Sequence, residues 1–256
     1  MMPVQNPLIQ KTQPQQFKVR WFDEIDSTNT RLLEQVLRDP ALPSGTILAA
    51  RRQTAGRGRL ERKWVSCVNG NLLFSLYYRT SAGVCQLPSL SMAMAIAIDE
   101  MLHGFHVASN LKWPNDIQVH GCKMAGLLAE RAGDEGVVLG VGLNVNMTAV
   151  EVSQIDQPAT SLSLESGTEW DVEKVLKILL TTYLPPWLER WEASGFAGLR
   201  ERWIQGCGGL GAILVVREEA RRISGFLAGF GENGELLLRL PEGVIQTFWA
   251  GEVGAP

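Results

Sequence analysis

The stretch best equipped for chemistry is Arg51-Arg52-Gln53-Thr54-Ala55-Gly56-Arg57-Gly58-Arg59, which runs on to Lys63-Trp64. Arginine presents a fork of N–H donors that matches carboxylate or phosphate oxygens. Glycine lets backbone N–H groups come close to an anion. A loop of this make-up suits closure over a phosphorylated or carboxylated ligand. The pattern G-x-x-x-x-G-K-[ST] is absent, so it is not a Walker P-loop. Composition alone leaves a solvated basic loop or a nucleic-acid patch equally open.

Three further clusters are candidates. In Lys112-Trp113-Pro114-Asn115-Asp116 the Trp-Pro bond disfavours helix and Asn-Asp favours a turn, so taken alone a strand followed by a tight turn accounts for it better than a site does. Lys123-Met124-Ala125-Gly126-Leu127-Leu128-Ala129-Glu130 opens an apolar strand with a lysine, which is either an ordinary surface residue or a point charge for a phosphate. Gly140 to Asn146 alternates glycine and asparagine near an apolar strand, which suggests close backbone approach or simply a twisted strand end. His103 and His106 are three apart, but a catalytic zinc normally takes three protein ligands and no third is evident.

These residues need a scaffold. The chain has 256 residues, 45% apolar and 20% charged, enough for one large domain or a large and a small one. Its net charge of −3 does not favour a protein whose main task is holding a nucleic-acid backbone. The four cysteines, Cys67, Cys85, Cys122 and Cys207, are scattered and form no C-x-x-C pair, which reads as reduced thiols in a cytoplasmic protein. Residues 1–16 are polar, rich in Gln and Pro, and read as a flexible tail without a signal-peptide core. The longest apolar run, near Leu87 to Ile98, falls short of the roughly 20 residues a membrane span needs.

Phe17 to Ile25 alternates like a strand. Asp26 or Ser27 offers an N-cap to a helix carrying Leu32, Leu33, Val36 and Leu37. Short strands follow at 45–50 and 72–78, then a buried helix at 89–102. Strands are expected at 107–112, 116–120 and 124–131, with a hairpin return at 137–146. Residues 171–192 have helical period, with a kink or break at Pro185-Pro186. After Gly206 the texture turns to short strands, with Asn233-Gly234 as a hairpin signal. The expected architecture is α+β: a mixed-sheet domain over 17–205 and a small C-terminal β-barrel over 206–256.

Taken in order, these stretches resemble the biotin–protein ligases. The resemblance runs through Ser27-Thr28-Asn29, Gln53 to Arg59, Lys112 to Asp116, Lys123 to Gly126 and Gly140 to Asn146. It continues in Gly234-Glu235-Leu236-Leu237-Leu238 and in Trp249 to Val253, which look like that family's SH3-like barrel. The family adenylates biotin with ATP and passes the biotinyl group to a lysine of a biotin carboxyl carrier protein, with Mg²⁺ expected.

The resemblance implies roles. Ser27, Thr28, Asn29 and Gln53 match positions around biotin, whose ureido ring offers both donors and acceptors. Arg57, Gly58 and Arg59 match the loop that folds over biotin and the adenylate. Lys123 matches the lysine at biotin's carboxyl end and the α-phosphate, and with Arg57 it could stabilise charge in the transition state. Trp64, Asn115, Asn144 and Asn146 are candidates for the nucleotide side, and Asp116 could equally be a turn residue. Loop residues 54–63 are expected to be mobile without ligand, because an acyl adenylate must be shielded from water.

There are two departures from the family pattern. Glu61 stands after Leu60 where the family's loop commonly carries a last glycine. The matching sequence also begins near residue 17, without the DNA-binding helix-turn-helix of some members, so no operator binding is expected. The family includes monomers and dimers, so a homodimer is one assembly it allows. The rival readings are a lipoate ligase or octanoyltransferase of the same fold, a non-catalytic biotin sensor, and an RNA-binding protein that uses the basic loop.

Overall fold

The computed structural model describes residues 16–59, 62–80, 82–133, 136–218 and 221–254. The tail expected over 1–16 lies almost wholly outside them, as do Leu60 and Glu61.

The elements run β1 (Lys18–Phe22), α1 (Thr28–Arg38), β2 (Thr46–Ala50), β3 (Asn71–Arg79), α2 (Leu87–Gly104), β4 (Asn110–Lys112), β5 (Asp116–Val119), β6 (Cys122–Arg131), β7 (Gly136–Asn144), α3 (Ala149–Val152), α4 (Leu162–Ser166), α5 (Val172–Ile178), α6 (Leu184–Ser194), α7 (Arg200–Gly206), β8 (Ile213–Glu218), β9 (Arg221–Phe230), β10 (Leu236–Arg239), β11 (Ile245–Phe248) and β12 (Glu252–Gly254). β1 to β7 form a seven-stranded sheet in the order β1-β2-β3-β7-β6-β5-β4. β1 runs parallel to β2 and every other neighbour is antiparallel, so the sheet is mixed. The α+β class expected from the sequence is the class found.

Strand parity decides what each face does. Side chains alternate along a strand, and directly paired residues of antiparallel neighbours share a face. Leu72, Phe74, Leu76 and Tyr78 of β3, with Val137, Leu139, Val141 and Leu143 of β7, pack against α2 in the main core. α2 is apolar nearly all round, as a fully buried helix should be. On the opposite face, Leu48, Tyr77 and Val138 meet Leu32 and Val36 of α1 in a smaller cluster. α1 covers only one end of that face. The remainder, with Leu73, Ser75, Gly140 and Gly142, is left for a cavity.

The helical segment predicted over 171–192 is α5 and α6, joined by a π-helical turn at Leu179–Tyr183. Pro185 and Pro186 fall in the first turn of α6, where a missing N–H costs least. They mark a boundary in an otherwise continuous run. β8 to β12 form an antiparallel sheet in the order β11-β10-β9-β8-β12. The Asn233-Gly234 signal joins β9 to β10 through residues 231–235, closed by Gly231 N–H to the Glu235 carbonyl at 2.8 Å. That hairpin tip docks on the rest of the molecule. Trp113 Nε1 donates to the Gly234 carbonyl at 3.0 Å, and Arg200 holds the Phe230 and Gly231 carbonyls.

Candidate active site

The uncovered face of the seven-stranded sheet floors a cavity of about 250 Å³, roofed by the basic loop and bounded by the C-terminal sheet. Its floor is flat because the residues there are small. A Cβ at Gly142 would lie 2.3 Å from the Trp64 ring, and one at Gly126 would lie 3.0 Å from it. The indole of Trp64 thus rests on two glycines of adjacent strands. Its Nε1 is buried and has no hydrogen-bond partner, so a donor is left over in the cavity wall for an acceptor from outside.

At one end lies a closed hydrogen-bond network. Ser27 caps α1, which fixes Thr28 and Asn29 in the helix's first turn against the sheet. Thr28 N–H and Oγ1–H reach Gln53 Oε1 at 2.7 and 3.0 Å. Ser75 Oγ lies 2.8 Å from Thr28 Oγ1 and 2.7 Å from Asn29 Oδ1. Asn29 Nδ2 donates to Glu130 Oε2 at 2.6 Å. Donors and acceptors alternate around this pocket without a net charge of their own until Glu130. That suits a neutral ligand group carrying both N–H and C=O.

Towards the other end the character turns cationic. Lys123 Nζ sits 2.7 Å from Asp116 Oδ1, with both side chains largely buried, and 5.8 Å from the Trp64 ring centroid. A bridge to Ala159, with Lys123 N–H donating to the Pro158 carbonyl at 2.8 Å, fixes the lysine's backbone. Arg59 donates to Asn115 Oδ1 at 3.1 Å, and Asn115 donates in turn to the Leu127 carbonyl. Burial draws the Arg59 guanidinium down from its usual pKa, against the opposing fields of Asp116 and Glu252. Seven lysine and arginine side chains line the cavity against two carboxylates, Asp116 and Glu252, and Glu252 of β12 is paired with Arg62 of the loop. A cavity with this charge balance suits an anion.

The roof is a short hairpin. Arg57 bridges Lys63, Gly58 N–H donates to the Arg62 carbonyl at 2.7 Å, and Trp64 N–H donates to the Gly56 carbonyl at 3.0 Å. Gly56 is required by close approach, since a Cβ there would meet the Trp64 carbonyl at 2.9 Å.

Ser27, Thr28, Asn29, Gln53, Arg57, Gly58, Arg59, Trp64, Asn115 and Lys123 are therefore brought together around one cavity. Asn144 and Asn146 are not. Asn144 bonds Asn71 Nδ2 and the Thr160 carbonyl in the buried end of the same face, and Asn146 holds Trp170 through both its amide atoms. Both amides have protein partners. The sequence singles out Lys112, Glu130 and Glu252 only as members of longer runs, with no role of their own, and does not single out Ser75 or Arg217. The strand period fixes only which neighbours share a face within one strand, and the pairing that brings Ser75 and Glu130 to the Gly140 face is a matter of register; nothing local pointed to Arg217 or Glu252. His103 contacts the Ser109 carbonyl, and no group of three His, Cys, Asp or Glu able to hold a metal occurs among the described residues.

A mixed sheet whose glycine floor carries an uncharged hydrogen-bonding pocket beside a cationic one suits a polar ligand group next to an anionic one. The chain belongs to the biotin/lipoate A/B protein ligase family, whose sequence profile matches residues 21–147. The bifunctional ligase/repressor BirA of Escherichia coli is 33% identical over 234 residues, which is 90% of this chain and 71% of that protein. The biotin–[acetyl-CoA-carboxylase] ligase of Paracoccus denitrificans is 32% identical over 232 residues, 85% of this chain and 92% of that one. The biotin protein ligase from Aquifex aeolicus, solved in complex with biotin and ATP, matches with a TM-score of 0.77 and 32% identity, covering 92% of this chain and 97% of that one.

Proposed function

We propose that this protein is a biotin–protein ligase. Biotin's carboxylate attacks the α-phosphorus of ATP, the bond to the β-phosphate oxygen breaks, and pyrophosphate leaves with its electron pair. A carrier-protein lysine, as the free amine, then attacks the acyl carbon of the biotinyl adenylate. AMP departs, the amine loses a proton, and an amide remains.

The observation that carries this reading is the junction of two unlike pockets on one floor. Thr28, Asn29, Gln53 and Ser75 form a donor–acceptor ring fitted to a ureido group, and Lys123 and Arg59 stand further along the same cavity. A lipoyl dithiolane has no N–H or C=O with which to satisfy that ring, so biotin is favoured over lipoate.

Two anions must meet for the first step, and Lys123 is the cation held ready for them. Its charge is balanced by Asp116 at 2.7 Å. Preorganised charge of this kind stabilises the developing charge on the phosphoryl oxygens. Mg²⁺ would be held chiefly by the triphosphate's own oxygens and water, with Asp116 the carboxylate beside Lys123, and would supply further charge neutralisation. The basic loop excludes water from the mixed anhydride, and it must open for ligands to enter.

The partner on this reading is a biotin carboxyl carrier protein. No helix among the described residues is long and apolar enough to cross a membrane. The net charge of −3 supports action without operator DNA, which a mobility-shift assay tests directly. Incubation with biotin, Mg-ATP and a purified carrier domain should raise the carrier's intact mass by one biotinyl group. Modification with lipoate instead, or with neither acid, would contradict the proposal.

A further inference from the structure

We propose that Glu130 is a positioning residue that latches the basic loop to the biotin head-group pocket; this rests on the ligase reading above. Glu130 lies on β6 two residues beyond Leu128, on the cavity face of the sheet, paired with Val138 of β7. Both of its carboxylate oxygens are used. Oε1 accepts from Arg57 Nη2 at 2.9 Å, while Oε2 accepts from Arg57 Nη1 at 3.3 Å and from Asn29 Nδ2 at 2.6 Å. One carboxylate therefore joins the roof of the cavity to the residue that shapes its ligand pocket.

The connection is continuous. Ser75 Oγ holds Asn29 Oδ1, and Thr28 holds Ser75 and Gln53, so any ligand group entering this ring re-orients hydrogen bonds that end on Glu130. Asn29 can lie there only because residue 140 is glycine; a Cβ at that position would come within 2.4 Å of Asn29 Oδ1. The loop has no comparable anchor from Arg59, whose donor goes to Asn115 within the wall. Arg57 is half exposed, yet it engages its fork in a two-pronged ion pair. Such a fork–fork contact fixes orientation as well as charge. The consequence separates Lys123 and Arg57, the two residues that the family resemblance gives to the transition-state charge. Lys123 faces the reacting atoms, whereas Arg57 holds the roof closed and acts through Glu130.

The test uses the full chain with Glu130→Gln, Arg57→Gln and the double substitution. Three quantities are read: the half-life of enzyme-bound biotinyl adenylate without acceptor, the biotin KM and kcat of pyrophosphate exchange, and tryptic cleavage within 57–63 with biotin bound. Loss of a charge-assisted contact corresponds to roughly tenfold or more, so each single substitution should shorten the adenylate half-life by about that factor. Each should also raise KM more than it lowers kcat and expose the loop to trypsin. The double substitution should be no worse than the more severe single, because both remove one contact. Glutamine at 130 can still accept from Asn29, and Arg57→Gln reaches the latch from the exposed loop should the strand variant fold poorly. Wild-type adenylate lifetimes in both singles, or additive losses in the double, would overturn the latch while leaving the ligase reading intact. Absence of exchange in the wild-type protein would overturn both.

Discussion

Lys123 and Asp116 form an ion pair whose partners are each less than a fifth exposed. Removing one member leaves the other with an uncompensated charge in a poorly solvated wall, a loss of about 2 kcal/mol. Lys123→Ala should therefore lower the urea midpoint as well as activity, and Lys123→Ala with Asp116→Asn should recover most of the stability and none of the activity. Equal destabilisation in single and double variants would show that the pair is not coupled. Gly142 offers a steric counterpart. Alanine there must push the Trp64 ring off its floor, an overpacking of about 1–3 kcal/mol, so Gly142→Ala should weaken biotin or ATP binding at least about tenfold by calorimetry. At this scale the sequence was most legible where spacing was local. Ser27-Thr28-Asn29 is a contiguous run that lines the cavity, as do Gln53, Arg57, Gly58 and Arg59 of the nearby basic run. Glu130 and Ser75 were missed because their importance depends on strand register, which a single sequence does not show. Asn144 and Asn146 drew attention for their amides, but the partners that occupy those amides lie 16 to 73 residues away.

Elements place these side chains through caps and close approaches. Asp171 caps α5 by accepting from the backbone N–H groups of Glu173 and Lys174, and the Lys174 N–H first, then that of Glu173, holds its carboxyl below the usual 3.8. Glu151, in the capping box of α3, is likewise lowered, by the backbone N–H of Thr148 before its hydroxyl. A carboxyl with a depressed folded-state pKa contributes stability that is present above its unfolded value and lost as pH falls through the folded one. The urea midpoint should thus be level above about pH 5 and decline below pH 4. Asp171→Asn keeps a capping oxygen but removes the titration, so its acid limb should be shallower; an identical limb would contradict the assignment. The Thr148-x-x-Glu151 capping box and the short helices α3 and α4 were not read from the sequence, since helices this short are too brief for periodicity to reveal. Pro185-Pro186 was legible as a boundary, but the π turn before it had no local signature.

The whole molecule couples two sheets around one site. Val216, Leu227, Phe230, Leu236 and Phe248 of the C-terminal strands belong to the same apolar cluster as α2 and the large sheet. Trp113 reaches across to the Gly234 carbonyl, and Glu252 of β12 holds Arg62 of the loop. Such sharing of a core predicts one cooperative unfolding transition, with calorimetric and van't Hoff enthalpies equal. Two resolved transitions would mean that the small sheet folds independently. The change of texture after Gly206 made the second sheet legible, since short strands and a hairpin signal recur at close spacing. Its contribution of Arg217 and Glu252 to the cavity was not legible, because long-range docking leaves no periodic trace in the chain. Biotin-dependent exchange of labelled pyrophosphate into ATP reports the chemistry of this joint cavity, measured with lipoate as control and Lys123→Ala alongside. Exchange is expected with biotin only, reduced at least about 100-fold in the variant, as for loss of one preorganised charge in a transition state. Exchange with lipoate in place of biotin, or none with either acid from the folded protein, would contradict the ligase reading.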